Sequence, residues 1–149
     1  MPTIYLDACC LNRPFDDQTQ SRIHLEAEAV LIILARLSSG EWRWLGSSAL
    51  DFEIAQIPDD ERRTRLKLLA ANIQQSVSVQ AREQARAKEL IGLGLPAVDA
   101  LHLACAESGG AEIFLTTDDR LLRQSARLSS QLRVRVENPL TWLKEVTTN

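Results

Sequence analysis

Four acidic side chains are the residues of this sequence best suited to do chemistry. Asp7 and Asp118 each follow a short apolar run, whereas Glu53 and Asp99 lie in runs of helical periodicity. Clustered carboxylates repel one another and need a cation, and oxygen ligands favour hard ions such as Mg²⁺ and Mn²⁺. Such ions promote hydrolysis of phosphodiesters. The four acids therefore predict a metal-dependent site for a phosphodiester, if the fold brings them together.

The elements that must position these acids are short apolar runs alternating with longer helical runs. The apolar runs predict strands over residues 3–6, 42–46, 76–79, 113–115 and 133–136. The longer runs predict helices over residues 21–37, 59–72, 81–93, 96–107, 119–126 and 139–146, and another that Ser47 or Ser48 caps. Residues 12–17 are predicted to form a loop. This alternation predicts an α/β fold whose parallel sheet carries functional groups beyond the carboxyl ends of its strands.

Each acid, taken alone, also has a purely structural explanation. Asp7 could end a strand, Glu53 could be a solvated helix charge, and Asp118 could cap a helix. Asp99 could be a first-turn acid favoured by the helix dipole. However, the helix around Asp99 is apolar on nearly every side, so we expect it to be buried. A buried acid needs a partner or a shifted pKa, which favours the functional interpretation.

Composition limits the class of protein. The 149 residues suit one domain, residues 1–149, and 45% hydrophobic with 25% charged residues is ordinary for a globular protein. The net charge of −3 is not that of a strongly basic nucleic-acid binder, so contact with RNA would need a local basic patch. The longest apolar stretch, residues 30–35, is too short to span a membrane. We therefore expect a soluble protein.

The cysteines predict a reducing compartment. Cys9, Cys10 and Cys105 form an odd set with two members adjacent, which is a poor disulfide framework. We therefore expect free thiols and a cytoplasmic location. Zinc is disfavoured because no second cysteine or histidine pair stands at zinc spacing.

The acids and their neighbours resemble the PIN-domain family, and within it the toxin-like ribonucleases of toxin–antitoxin pairs. The matching segments span nearly the whole chain, in the order Tyr5-Leu6-Asp7, Ser48-Ala49-Leu50-Asp51-Phe52-Glu53, Asp99-Ala100-Leu101-His102-Leu103-Ala104 and Leu115-Thr116-Thr117-Asp118. The resemblance implies a three-layer α/β/α sandwich with a central, mainly parallel sheet. It also implies an endoribonuclease that uses Mg²⁺ or Mn²⁺, an antitoxin protein as partner, and a homodimer.

The resemblance assigns roles to individual residues. The family's first Asp falls on Asp7, its helical Glu on Glu53, its third acid on Asp99, and its Thr-x-Asp motif on Thr116 and Asp118. Asp7 and Asp99 would bind the principal metal, and Asp118 would bind it directly or through water. Glu53 would orient the attacking water or hold a second ion.

Two departures from the family pattern affect these assignments. Ala8 and Cys9 stand where the family often has Thr followed by Ser or Asn, which removes one polar contact near the metal. Asp119 stands beside Asp118, and we prefer Asp118 because the spacing from Thr116 to Leu121 is then the usual one.

Other side chains are predicted to contact the substrate or to pack inside. Arg13, Arg120 and Thr116 are the predicted substrate contacts, although solvated surface positions explain the two arginines equally well. His102 lies three residues after Asp99 on a neighbouring part of the same helix face, where it could touch the site, but it is predicted to pack or hydrogen-bond inside. Residues 21–37 and 59–72 are the predicted groove for an antitoxin peptide.

Three rival functions remain open from the sequence. One is a PIN nuclease that acts in RNA maturation or on DNA. Another is a catalytically silent PIN-like module that binds RNA or protein. The third is a metal-dependent phosphatase with Asp7 as its nucleophile, but that chemistry needs a second acid shortly after Asp7, where Ala8 and Cys9 stand.

Overall fold

The computed structural model describes residues 2–148, and five of its strands form one all-parallel sheet. The strands are β1 (Thr3–Leu6), β2 (Arg43–Ser47), β3 (Gln75–Val77), β4 (Ile113–Leu115) and β5 (Arg135–Glu137). Their order across the sheet is β3-β2-β1-β4-β5. The first strand of the chain therefore lies at the centre, where Tyr5 pairs with Leu45 of β2 and Phe114 of β4.

Eight α-helices accompany this sheet within residues 2–148. They are α1 (Ala8–Asn12), α2 (Ser21–Ser38), α3 (Ser48–Ala55), α4 (Asp60–Ala70), α5 (Ala81–Gly92), α6 (Ala97–Ser108), α7 (Asp119–Arg127) and α8 (Pro139–Thr147). A 3₁₀ turn, Arg13–Phe15, follows α1. In that described part of the chain, no helix has the length and apolar character needed to cross a membrane.

The sheet has a hydrophobic core on each face. Successive strand residues point to opposite faces, so Ile4 and Leu6 pack with α2, α4 and α8, whereas Tyr5 packs with α5, α6 and α7. All three side chains are fully buried. The predicted α/β class, with a parallel sheet between two helical layers, is confirmed.

Two local expectations were wrong. Residues 12–17 are only partly a loop: Asn12 ends α1, which Asp7 caps by accepting from Ala8 N at 2.9 Å, and residues 13–15 form the 3₁₀ turn. The helix around Asp99 is buried only in its middle and end. Val98 in its first turn is 58% exposed, because this turn lies at the edge of the sheet rather than on its face.

The end of α6 lies very close to the sheet. A Cβ atom placed on Gly109, the residue after this helix, would lie 2.5 Å from Leu45 Cδ2 and 2.8 Å from Val77 Cγ2. Only glycine fits such an approach without moving buried neighbours. This contact sets how α6 crosses the sheet, and so where Asp99, at the other end of α6, is placed.

Candidate active site

The end of β1 places Asp7 at the carboxyl edge of the sheet. Asp7 N donates to Leu115 O at 3.0 Å, which continues the pairing of β1 with β4. The side chain is only 7% exposed. Its Oδ1 accepts from Ala8 N, and its Oδ2 accepts from Thr116 Oγ1 at 3.0 Å. The backbone and one hydroxyl thus fix the orientation of this carboxylate.

Thr116, directly after β4, joins Asp7 to the start of α7. Its hydroxyl donates to Asp7 and accepts from Asp118 N at 3.1 Å. The Cys9 thiol lies 3.2 Å from the same hydroxyl and donates to Asp7 Oδ2 at 3.5 Å. Thr116 is fully buried behind Asp7. The weak thiol donor therefore stands where the family usually has a hydroxyl or an amide, and substrate contact by Thr116 stays a prediction.

Glu53 reaches the same edge from α3. Ser47 caps this helix by accepting from Leu50 N at 3.0 Å. The Glu53 side chain is 40% exposed, and its Oε1 lies 2.6 Å from His102 Nε2. One ligand atom each from Asp7, Glu53 and His102 lies within 4.8 Å of the others. The structure therefore brings two of the four predicted acids together with a histidine.

His102 lies on α6 and is 1% exposed, so the expectation that it packs and hydrogen-bonds inside is confirmed. The alternative that it touches the site also holds, because it contacts Glu53, a partner that the sequence did not indicate. Its other ring nitrogen, Nδ1, lies 2.6 Å from the Tyr5 hydroxyl, which lies 2.6 Å from Ser47 Oγ. Sequence reasoning missed Tyr5 and Ser47. The available signal was a tyrosine inside an apolar strand, because a buried tyrosine hydroxyl needs a partner.

Asp99 in the first turn of α6 is half-buried, and its pKa is raised to about 6. Burial is the largest cause, followed by the negative charges of Asp7 and Asp118, while His102 opposes the shift. Burial also raises the pKa of Asp7, with His102 opposing and Glu53 adding to the rise. Asp7, Glu53 and Asp118 therefore all lie close enough to Asp99 for their charges to raise its pKa.

Asp118 is the N-cap of α7, and its Oδ1 accepts from Arg120 N at 2.9 Å and from Leu121 N at 3.3 Å. Its side chain is exposed. The adjacent Asp119 is instead bound by the Arg22 guanidinium, which donates to both of its oxygens. The structure thus gives the two neighbouring acids different partners, and the choice of Asp118 as the ligand stays a prediction.

The two predicted substrate arginines have different surroundings. Arg13 donates from Nε to Glu26 at 2.9 Å and from Nη1 to Asp16 at 3.2 Å, so two of its nitrogens are committed to carboxylates. Arg120 is exposed and lies with Arg123, Gln124, Ala126 and Arg127 along a cleft of about 640 Å³ on α7. The basic patch that RNA binding would need is present there, on one face of α7.

A second cleft opens beside the carboxylates. It has a volume of about 460 Å³, and Glu53 and His102 lie in its wall. The rest of the wall is mostly apolar and includes the exposed side chains of Phe52 and Val98. A substrate chain therefore has room to pass next to Glu53.

The donor set fits a hard divalent ion. Asp7, Glu53, Asp99 and Asp118 offer carboxylate oxygens, the ligands that Mg²⁺ and Mn²⁺ prefer. Burial raises the pKa of Asp99 most and the charges of Asp7 and Asp118 add to the rise, so a cation here would stabilise its ionised form. Cys9 is the one cysteine beside Asp7, because Cys10 and Cys105 are buried elsewhere in the two cores. A thiol-rich zinc site is therefore not formed by residues 2–148.

Comparisons with known proteins agree with this geometry. A model of the PIN domain family matches residues 4–127, a range that contains all four acids. The structure of VapBC2 from Rickettsia felis bound to a DNA fragment from its promoter superposes with a TM-score of 0.59, 13% identity, and coverage of 91% of this chain and 98% of that one. VapBC-1 from nontypeable Haemophilus influenzae superposes with a TM-score of 0.58 and 13% identity, over 92% of this chain and 98% of that one. At this identity the two structures show a shared fold. No curated protein sequence matches the chain.

Proposed function

The chain belongs to the PIN-domain family, and from that premise we propose that it is an endoribonuclease that hydrolyses RNA phosphodiester bonds with Mg²⁺ or Mn²⁺. The observation that carries the proposal is the gathering of acids at one edge of the sheet, where ligand atoms of Asp7 and Glu53 lie within 4.8 Å of one another. Asp7 and Asp99 both have raised pKa values, and each feels the charge of other acids at the same sheet edge. Burying negative charge without a partner is costly, and a bound divalent cation would offset that cost at this edge.

Asp7 and Asp99 would hold the principal ion, and Asp118 would bind it directly or through water. When bound, the ion neutralises phosphate charge and activates the attacking water. Glu53 Oε1 is bonded to His102, so the Oε2 atom remains to orient that water. Thr116 would keep the Asp7 carboxylate turned towards the ion through its hydrogen bond to Oδ2.

The substrate would lie along the basic side of this edge. Arg120 is exposed two residues after Asp118, and it would contact a phosphate together with Arg123. Arg13 would add a contact through Nη2, since its other nitrogens donate to Glu26 and Asp16.

We further propose that the protein is the toxin half of a toxin–antitoxin pair, acts in the cytoplasm and forms a homodimer. Its structural neighbours are VapBC complexes. Exposed apolar side chains on α2 and α4, among them Leu25, Leu31, Ile32 and Leu68, offer a surface for an antitoxin protein.

The test is a cleavage assay on matched single-stranded RNA and DNA with Mg²⁺, Mn²⁺ or EDTA. The proposal predicts RNA cleavage with either metal, none in EDTA, and products that carry a 5′-phosphate. Cleavage of DNA alone would favour the rival DNA nuclease. Absence of cleavage, combined with RNA binding, would favour the silent module, and cleavage that persists in EDTA would exclude metal dependence.

A further inference from the structure

A chain of hydrogen bonds runs from the buried side of the sheet to Glu53. Leu50 N donates to Ser47 Oγ at 3.0 Å, and Ser47 Oγ lies 2.6 Å from the Tyr5 hydroxyl. The Tyr5 hydroxyl lies 2.6 Å from His102 Nδ1, and His102 Nε2 lies 2.6 Å from Glu53 Oε1. The chain joins β1, α3 and α6, which are far apart in sequence.

We assign the proton between His102 Nε2 and Glu53 Oε1 to the histidine nitrogen. An ionised carboxylate can only accept hydrogen bonds, so Nε2–H must donate to Glu53 Oε1. The Nε2 lone pair is then absent, and Nδ1 is occupied by Tyr5. His102 is therefore not available as a metal ligand in this arrangement, although it lies within 4.8 Å of Asp7 and Glu53 ligand atoms.

The orientation of the His102 ring is held by its surroundings. The side chain is almost fully buried, and the ring meets Tyr5 edge-on with centroids 5.8 Å apart. Tyr5 is in turn stacked on Phe114 at a centroid distance of 5.2 Å. By contrast, the Glu53 side chain is 40% exposed, so packing does not hold it and it needs a fixed partner to keep one orientation.

We propose that His102 is a positioning residue that holds Glu53 Oε1 and thereby aims Oε2 at the attacking water, an inference that rests on the proposed nuclease function. Partners of this kind, which orient a group at a metal site, typically contribute about 10–100-fold to activity. Neither the four acids nor the family pattern assigns this role to His102.

Two matched substitutions separate positioning from packing. The amide nitrogen of His102→Gln can reach the place of Nε2, whereas that of His102→Asn can reach only the place of Nδ1. Both remove the ring. We expect kcat for RNA cleavage to fall about 10–100-fold in His102→Asn, with KM within about twofold, and to fall less than about fivefold in His102→Gln. Equal losses in both variants, or a wild-type kcat in His102→Asn, would overturn the proposal.

A readout that does not depend on activity is the crystal structure of each variant. The Glu53 carboxylate should leave its position in His102→Asn and keep it in His102→Gln; the same position in both would overturn the proposal. If wild type fails to cleave RNA, the nuclease function fails while this structural comparison still decides the positioning. If neither variant folds, Tyr5→Phe frees Nδ1 from the other end, and we expect a kcat loss of about threefold or more. An unchanged kcat in Tyr5→Phe would contradict the proposal that this chain of hydrogen bonds positions Glu53.

Discussion

The Arg22 guanidinium on α2 forms an ion pair with Asp119 at the start of α7 and donates to both of its carboxylate oxygens. This ion pair lowers the pKa of the Asp119 carboxyl. Among residues 2–148, the neighbouring Asp118 has no such partner and instead caps α7, with its charge adding to the rise in the pKa of Asp99 that burial causes. The fold thus makes Asp118 a helix cap near Asp99 and makes Asp119 the partner of an ion pair.

The first prediction separates these two acids. Asn caps a helix about as well as Asp, so Asp118→Asn removes the charge near Asp99 while keeping the cap. We expect Mg²⁺-dependent RNA cleavage to fall about tenfold or more in Asp118→Asn and to stay within about twofold of wild type in Asp119→Asn. The measurement is initial rate against Mg²⁺ concentration for both variants. The reverse order of effects would assign the ligand to Asp119.

The second prediction concerns pH. Asp99 has a pKa of about 6, raised by burial and by the charges of Asp7 and Asp118, and a metal ion binds its ionised form. Mn²⁺ affinity should therefore be nearly constant from pH 7 to 8 and weaken about tenfold per pH unit below pH 6. Isothermal titration calorimetry at several pH values measures this. Asp99→Asn should bind Mn²⁺ weakly at every pH, and a wild-type affinity equal at pH 5 and pH 7.5 would contradict the account.

The same shift fixes the sign of a stability effect in metal-free protein. The pKa of Asp99 in the folded protein lies above its ordinary value of 3.8. The stability that its protonated carboxyl contributes is therefore fully present below pH 3.8. The contribution is lost as the pH rises through about 6. Metal-free Asp99→Asn should therefore have a Tm above that of wild type at pH 7.5, by a few degrees at most once solvent screening is allowed for.

The third prediction concerns the basic face of α7. Replacing Arg120, Arg123 and Arg127 with Gln should weaken RNA binding and make its salt dependence shallower, by about 0.7 in slope per lost phosphate contact. Fluorescence anisotropy in the Asp7→Asn background measures binding without cleavage. Arg65→Gln on α4 is the matched control, because Arg65 pairs with Glu61. An unchanged salt slope in the triple variant would place the RNA elsewhere.

The fourth prediction tests the packing that places α6. Gly109→Ala would put a Cβ 2.5 Å from the buried Leu45 side chain, so we expect a loss of about 1–3 kcal/mol in the free energy of unfolding. Gly92, the last residue of α5, has no atom within 4 Å of such a Cβ. Gly92→Ala should be neutral or slightly stabilising. Urea denaturation compares the two, and similar midpoints would show that α6 can shift away from the sheet.

The sequence predicts most of the fold because long apolar patterns are local. The run behind α2 and the strand before Asp7 each carry enough residues to show their period. The five-residue α1 is too short to show one, and its only signal was Asp7 as a possible N-cap. The strand order could not be predicted, since pairing β1 with β4 depends on contacts between distant segments.

The candidate site likewise has a part that the sequence predicts and a part that depends on contacts between distant segments. The positions of Asp7 and Asp118 are predictable because Asp7 directly follows β1 and Asp118 stands three residues after the end of β4, at the carboxyl ends of two parallel strands. The contact between Glu53 and His102 joins residues 49 positions apart, and it exists only because α3 and α6 meet over the end of β1. The spacing from Asp99 indicates that His102 could touch the site, and a polar residue in an apolar helix indicates that it has a partner, but neither signal identifies Glu53 as that partner.

The central claim, that Asp7 anchors a metal-dependent nuclease site, is tested most directly by Asp7→Asn beside Asp51→Asn. Asp51 is an exposed acid on α3, two residues before Glu53, and serves as the matched control. RNA cleavage with Mg²⁺ and Mn²⁺ should be abolished in Asp7→Asn and unchanged in Asp51→Asn, while both variants keep a cooperative thermal transition. Full cleavage by a folded Asp7→Asn protein would contradict the account.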